Sequence, residues 1–146
     1  MINLIRSKIM FNLINIIMKF WKAISWGILI IVLSMMSSSS IEKIAIFKFP
    51  HIDKVVHFCL YFVFTIFLIS GFKRNNYNVY LKPARLIIII LIFTSFGILM
   101  EIFQLEFTTT RSAELLDFVA DAVGGIAAVL VYQKLIKIRF FNTIVK

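Results

Sequence analysis

Four apolar stretches, separated by charged or polar segments, dominate the pattern of the chain. Three of them contain no Lys, Arg, Asp or Glu, and the fourth contains two aspartates. A helix needs about 20 residues to cross a hydrocarbon core of roughly 30 Å. We therefore predict an all-α integral membrane bundle of four transmembrane helices, built on residues 23–41, 55–72, 86–100 and 115–133.

The residues before the first apolar stretch have a pattern of their own. Polar side chains recur every three or four residues and would form one stripe of a helix, namely Lys8, Asn12, Asn15, Lys19 and Lys22. This spacing predicts a separate amphipathic helix over residues 1–22, lying in the membrane interface. Residues 23–133 would then form the transmembrane domain, and residues 134–146 a basic cytoplasmic tail.

Composition supports the membrane assignment. Of the 146 residues, 61% are hydrophobic and 16% are charged, whereas soluble domains are nearer 45–50% apolar and about 25% charged. The net charge of +9 could suggest nucleic acid, but the basic residues flank the apolar stretches and form no single patch. We therefore expect a lipid bilayer as the partner and no nucleic acid.

The distribution of charge predicts an orientation. Twelve of the sixteen Lys and Arg residues lie at the two termini and between the second and third stretches. By the positive-inside rule these segments, and hence both termini, are cytoplasmic. All seven acidic residues fall at the opposite, outer side, which suggests a shared site there.

Helical spacing places polar side chains of three helices on inward stripes. Each stripe follows i, i+4 or i+3 steps along one helix: Asp53, His57 and Tyr61; then Gly97, Glu101 and Gln104; then Asp117, Asp121, Gly124 and Ala128. Gly97, Gly124 and Ala128 are predicted to let helices approach closely. The polar side chains would then face each other inside the bundle.

Acids inside a membrane need neutralisation. An Asp at a helix centre costs about 2.5–3.5 kcal/mol on insertion scales. Arg111 is the first candidate to pair with the acids, and Lys54 the second. His57 could be a proton carrier, a metal ligand or a structural residue hydrogen-bonded to Asp117 or Glu101. Because the sequence has no H-x-x-x-H pair and no phosphate-binding glycine loop, we expect no metal and no cofactor.

The same residues resemble the motifs of the VanZ-like family of small bacterial membrane proteins. The matching segments are Asp53-Lys54-x-x-His57 with Tyr61, Glu101-x-x-Gln104, Arg111, and Asp117-x-x-x-Asp121-x-x-Gly124, within residues 21–133. Asp121 departs from the family pattern, which more often has Asn there. The resemblance implies a protein of the bacterial cytoplasmic membrane. The family is named for a member that is associated with low-level teicoplanin resistance.

Three functional hypotheses remain open from the sequence. The first is an outer-face site that binds a cell-envelope lipid headgroup or an amphiphilic glycopeptide. The second is a membrane-embedded enzyme that acts on a lipid-linked substrate, with Glu101 or His57 as the base. The third is a non-catalytic scaffold that contacts other envelope proteins through Gly124 and Ala128. The sequence leaves the oligomeric state open.

Overall fold

The computed structural model describes residues 2–35, 52–73, 81–107 and 115–135. These residues form four α-helices: α1 (Ile2–Met35), α2 (Ile52–Lys73), α3 (Pro83–Phe107) and α4 (Leu115–Leu135). Each of the four contains a window long and apolar enough to cross a membrane. The chain is therefore an all-α, multi-pass membrane protein with four candidate spans.

The helices alternate in direction. Phe20 of α1 packs against Phe72 of α2 with ring centroids 5.0 Å apart, and the indole N–H of Trp26 donates to the carbonyl of Leu60 at 2.9 Å. Along this interface the residue numbers rise on α1 and fall on α2, so the two helices are antiparallel. Helix α3 is antiparallel to α4, since a Cβ on Gly97 would lie beside Asp121 and one on Gly125 beside Phe93. In turn, α2 and α4 run parallel, because Lys54 contacts Asp117 and His57 contacts Asp121.

Helix α2 lies at the centre of the bundle. It contacts each of the other three described helices, and its most extensive contact is with α4. The approach to α4 is close at Gly124, where a Cβ would collide with the backbone carbonyl of Phe58. Only glycine permits this backbone contact, and Ala128, one turn further along α4, is completely buried.

The outer surface of the bundle is apolar. Ile87, Leu91 and Leu130 are 58–70% exposed, and many other large aliphatic side chains are exposed on the same helices. Exposed aliphatic surface of this extent exceeds what a soluble monomer carries. Acyl chains would cover it, which agrees with the expected lipid bilayer.

The prediction of a separate amphipathic N-terminal helix is wrong. Residues 2–22 continue without interruption into the first span, so α1 has 34 residues and a length of about 51 Å. The junction has no Gly or Pro to end a helix. Lys19 and Lys22 lie over the rings of Phe20 and Trp21, 5.7 and 5.9 Å from the centroids, which helps to accommodate both charges within the helix.

The Gly124 contact predicts a specific weakness. Gly124→Ala should destabilise the bundle by about 1–3 kcal/mol, because the methyl group must push α2 and α4 apart. Thermal unfolding in detergent measures the effect.

Gly27→Ala on α1 is the matched control, since a Cβ there would lie 3.5 Å from the nearest ring atom, an ordinary contact. Equal melting temperatures for the two variants would contradict the close approach.

Candidate functional site

The polar residues meet at the end of the bundle where α2 and α4 begin. Lys54 of α2 directs its ammonium group to two carboxylates, with Nζ 2.6 Å from Oδ2 of Asp53 and 2.6 Å from Oδ1 of Asp117. The second of these contacts joins α2 to α4. Lys54 therefore balances charge on both helices.

One turn deeper, His57 forms a second link between the same helices. Its Nδ1 lies 2.9 Å from Oδ1 of Asp121, within hydrogen-bond distance, and its Nε2 lies 3.9 Å from Oδ2 of Asp117. With Nδ1 protonated, the ring donates to Asp121 and turns the Nε2 edge toward Asp117. The imidazole is thus held between two carboxylates of α4.

Tyr61 and Glu101 extend the group from α2 to α3. Tyr61 is 1% exposed, and its hydroxyl lies close to the carboxylate of Asp121 and within electrostatic range of Glu101. One carboxylate oxygen of Glu101, Oε2, is buried. Gly97 lies on the same side of α3, because a Cβ there would be 3.5 Å from Oδ2 of Asp121.

The exposure of these side chains falls steadily with depth. The exposed fraction is 41% for Asp53, 17% for Lys54, 11% for Asp117, 8% for His57 and 3% for Asp121. These side chains, with Tyr61 at the inner end and Glu101 of α3 within electrostatic range of it, form a cluster that we call the polar file. Its outer members reach the surface at the end of the bundle where α2 and α4 begin, and its inner members lie inside the bundle.

Gln104 has a different connection. It is buried, and its side-chain amide donates to the backbone carbonyl of Ser34 at 3.4 Å, which ties α3 to α1. The sequence placed Gln104 on one stripe with Glu101 and Gly97, but it did not identify α1 as a partner. No periodic pattern in α1 marks Ser34, since the acceptor is a backbone atom.

The structure also assigns partners that the spacing alone left open. Arg111, the first candidate cation for the acids, lies outside the described residues. Lys54, the second candidate, makes the contacts given above. The structural alternative for His57 named Asp117 or Glu101 as its hydrogen-bond partner, whereas the short contact is to Asp121.

A metal centre has no support from the described part of the chain. There, no group of three His, Cys, Asp or Glu side chains is arranged to hold an ion. What the residues can do is bind a polar group by hydrogen bonding or move a proton between His57 and a neighbouring carboxylate.

Taken together, the fold and the polar file define a multi-pass α-helical membrane protein with buried ionisable side chains near one end of the bundle. No family model, curated protein or solved structure matches the chain. Whether the polar file is a functional site stays a prediction.

The pairing of His57 with Asp121 predicts a non-additive effect on stability. His57→Leu should lower the free energy of unfolding by about 3 kcal/mol, because it leaves a buried carboxylate without its hydrogen bond. The double variant His57→Leu/Asp121→Leu should recover most of the loss. Unfolding of each variant in mixed detergent micelles gives the coupling energy.

Ser95→Leu, at an exposed position of α3, controls for an added apolar side chain. If the losses in the free energy of unfolding caused by His57→Leu and Asp121→Leu simply add in the double variant, His57 and Asp121 are not coupled.

Proposed function

We propose that this chain is a VanZ-like integral membrane protein whose polar file binds the headgroup of a cell-envelope lipid or an amphiphilic glycopeptide. The observation that carries the proposal is the cluster of ionisable groups on three helices, which is buried at its inner end and reaches the surface at one face. Intramembrane ionisable residues mark functional sites by default, since their burial is costly. In this proposal the face is extracytoplasmic, as the positive-inside rule predicts.

The depth of the polar file supports binding at the membrane surface. Below Tyr61, the rings of Phe64 and Phe96 pack together with centroids 5.1 Å apart, and both contact Tyr61 at 6.1–6.3 Å. These aromatic rings separate the polar file from the other half of the bundle. A ligand that enters from one face and leaves by the same face fits this arrangement better than a transported solute does.

The acyl chains of the ligand would remain in the bilayer. The apolar outer surface of α3 and α4 offers contact for them, while the headgroup reaches the polar file. Arg111, which the resemblance includes in the site, would contact an anionic part of the ligand. Resistance of the teicoplanin type would follow if the bound molecule were the antibiotic or its lipid-linked target.

An enzymatic function is the second candidate, and the contact between His57 and Asp121 favours it. A carboxylate that orients an imidazole is the arrangement by which proteins position a general base. Under this hypothesis His57 or Glu101 removes a proton from a water or hydroxyl nucleophile during hydrolysis or transfer on a lipid-linked substrate. An enzyme would form a new product from lipid extracts, whereas a protein that only binds its ligand would not. Under the enzymatic hypothesis, Glu101→Gln would abolish this product.

The scaffold hypothesis loses its proposed contact surface. Gly124 and Ala128 are buried within the bundle, where Gly124 faces the backbone of α2. Neither residue is exposed for contact with another envelope protein.

Resistance assays test the leading proposal. In a bacterial host that expresses the protein, Glu101→Gln and Arg111→Ala should each abolish any rise in the inhibitory concentration of teicoplanin, because each removes a charge from the site. Membrane levels of the variants, measured by immunoblot, should match the parent protein.

Glu106→Gln is the matched control, since Glu106 is an exposed acid on α3 close to Glu101. It should leave resistance unchanged. Resistance that survives both site substitutions would refute a role of the polar file in binding.

A further inference from the structure

Helix α1 extends beyond the bundle at the end opposite the polar file. Its contact with α2 at this end is between Phe20 and Phe72, and α2 ends one residue later, at Lys73. Residues 2–19 therefore continue past the end of α2 for about 27 Å. Every residue from Leu4 to Met18 is exposed, so all faces of this extension are open to contact.

One face of α1 carries a heptad pattern of apolar side chains, with alternating steps of four and three residues as in a coiled coil. All of them are large, and each is 37–59% exposed: Met10, Ile14, Ile17, Trp21, Ile24, Ile28 and Ile31. We name these seven residues the α1 seam. The seam covers about 33 Å of the helix and runs from the extension into the membrane span.

The seam faces away from the rest of the bundle. Ala23 and Ile30 of α1 are buried, at 2% and 1% exposure, and the indole of Trp26 donates a hydrogen bond to α2. At about 100° per residue, these three side chains lie on the side of α1 opposite Ile24 and Ile28. A second helix can therefore cover the seam without displacing α2.

The charges of the extension are kept off the seam. In heptad notation, Ile14 and Trp21 take a positions and Met10 and Ile17 take d positions. The polar stripe then occupies the b and f positions, which face away from a partner helix: Lys8, Asn12, Asn15, Lys19 and Lys22. Arg6, at a g position, is the exception. Two copies of this cationic helix can thus meet along the seam with their lysines pointing outward.

Acyl chains cannot cover the whole seam. With α2 spanning a hydrocarbon core of roughly 30 Å, Met10, Ile14 and Ile17 lie beyond its end, where burial against another helix removes apolar surface from water. Covering half the lateral surface of a helix about 10 Å wide over the length of the seam buries on the order of 1,000 Å² for two copies. A specific interface needs about this area.

From these observations we propose that the α1 seam is the interface of a parallel homodimer. Two copies in one membrane share an orientation, so their α1 helices run parallel about a twofold axis along the membrane normal. Each seam residue then packs near its counterpart in the other copy, as a and d residues do in parallel coiled coils. The seam contributes no residue to the polar file, so this inference is independent of the proposed function.

Lysine substitutions at two neighbouring positions of α1 test the interface on the full-length protein. Ile17→Lys places two ammonium groups across the twofold axis and should weaken dimerisation about tenfold or more. Asn15→Lys adds the same charge on the polar stripe and should leave dimerisation unchanged. Energy transfer between copies labelled at the C-terminus, in liposomes at varied protein-to-lipid ratios, measures the dimer fraction of each.

Cysteine crosslinking locates the contact without adding charge. In a Cys59→Ala background, which removes the exposed native thiol, Ile14→Cys and Ile17→Cys should each form intermolecular disulfides when membranes are oxidised with copper phenanthroline. Asn12→Cys and Asn15→Cys are the matched controls at nearly the same depth and should remain largely monomeric. These variants keep the test decisive even if Ile17→Lys accumulates poorly.

Three outcomes would overturn the dimer. The first is a parent protein that stays monomeric in liposomes, which would leave lipid or an unlike partner as the cover of the seam. The second is an equal dimer fraction for Ile17→Lys and Asn15→Lys. The third is crosslinking of the polar-stripe cysteines as efficient as that of the seam cysteines. None of these results would bear on the resistance assay of the polar file.

Discussion

Electrostatic pairing between α2 and α4 is the constraint on which the rest of the structure depends. A charged side chain inside a bilayer is costly unless a partner or a proton neutralises it, and α4 carries Asp117 and Asp121 in its first two turns. Lys54 and His57 of α2 contact these two aspartates in order along the helix. This order requires α2 and α4 to run parallel and in one register.

The remaining packing follows from that register. Gly124 lets the backbones of α2 and α4 come together just below the charged pairs, so the polar contacts stay short. Helix α3 closes the third side, where Gly97 lies beside the carboxylate of Asp121. Helix α1 packs mainly on α2 and contributes a backbone acceptor at Ser34 instead of a charge. Function, in this account, belongs to α2, α3 and α4.

The sequence predicted the four spans and the inward stripes because apolar length and helical periodicity are local properties of the chain. It could not assign His57 to Asp121 over Asp117, since both aspartates lie on one stripe and the choice depends on the register between helices. It named Arg111 and Lys54 as candidate cations for the acids, but it could not show that Lys54 contacts Asp117, because contact geometry between helices is not visible in a sequence. The sequence did not predict that α1 is continuous, because a polar stripe looks the same in a separate interfacial helix and in the first turns of a longer helix. Family membership stays a proposal based on the motifs.

A charge exchange between α2 and α4 tests the central claim most directly. Lys54→Asp and Asp117→Lys should each lower the melting temperature of the detergent-solubilised protein, because each places like charges together. The double variant Lys54→Asp/Asp117→Lys should regain most of the loss, whereas Lys54→Asp/Glu106→Lys should not. A double variant no more stable than its worse single parent would contradict the pairing of α2 with α4 through these charges.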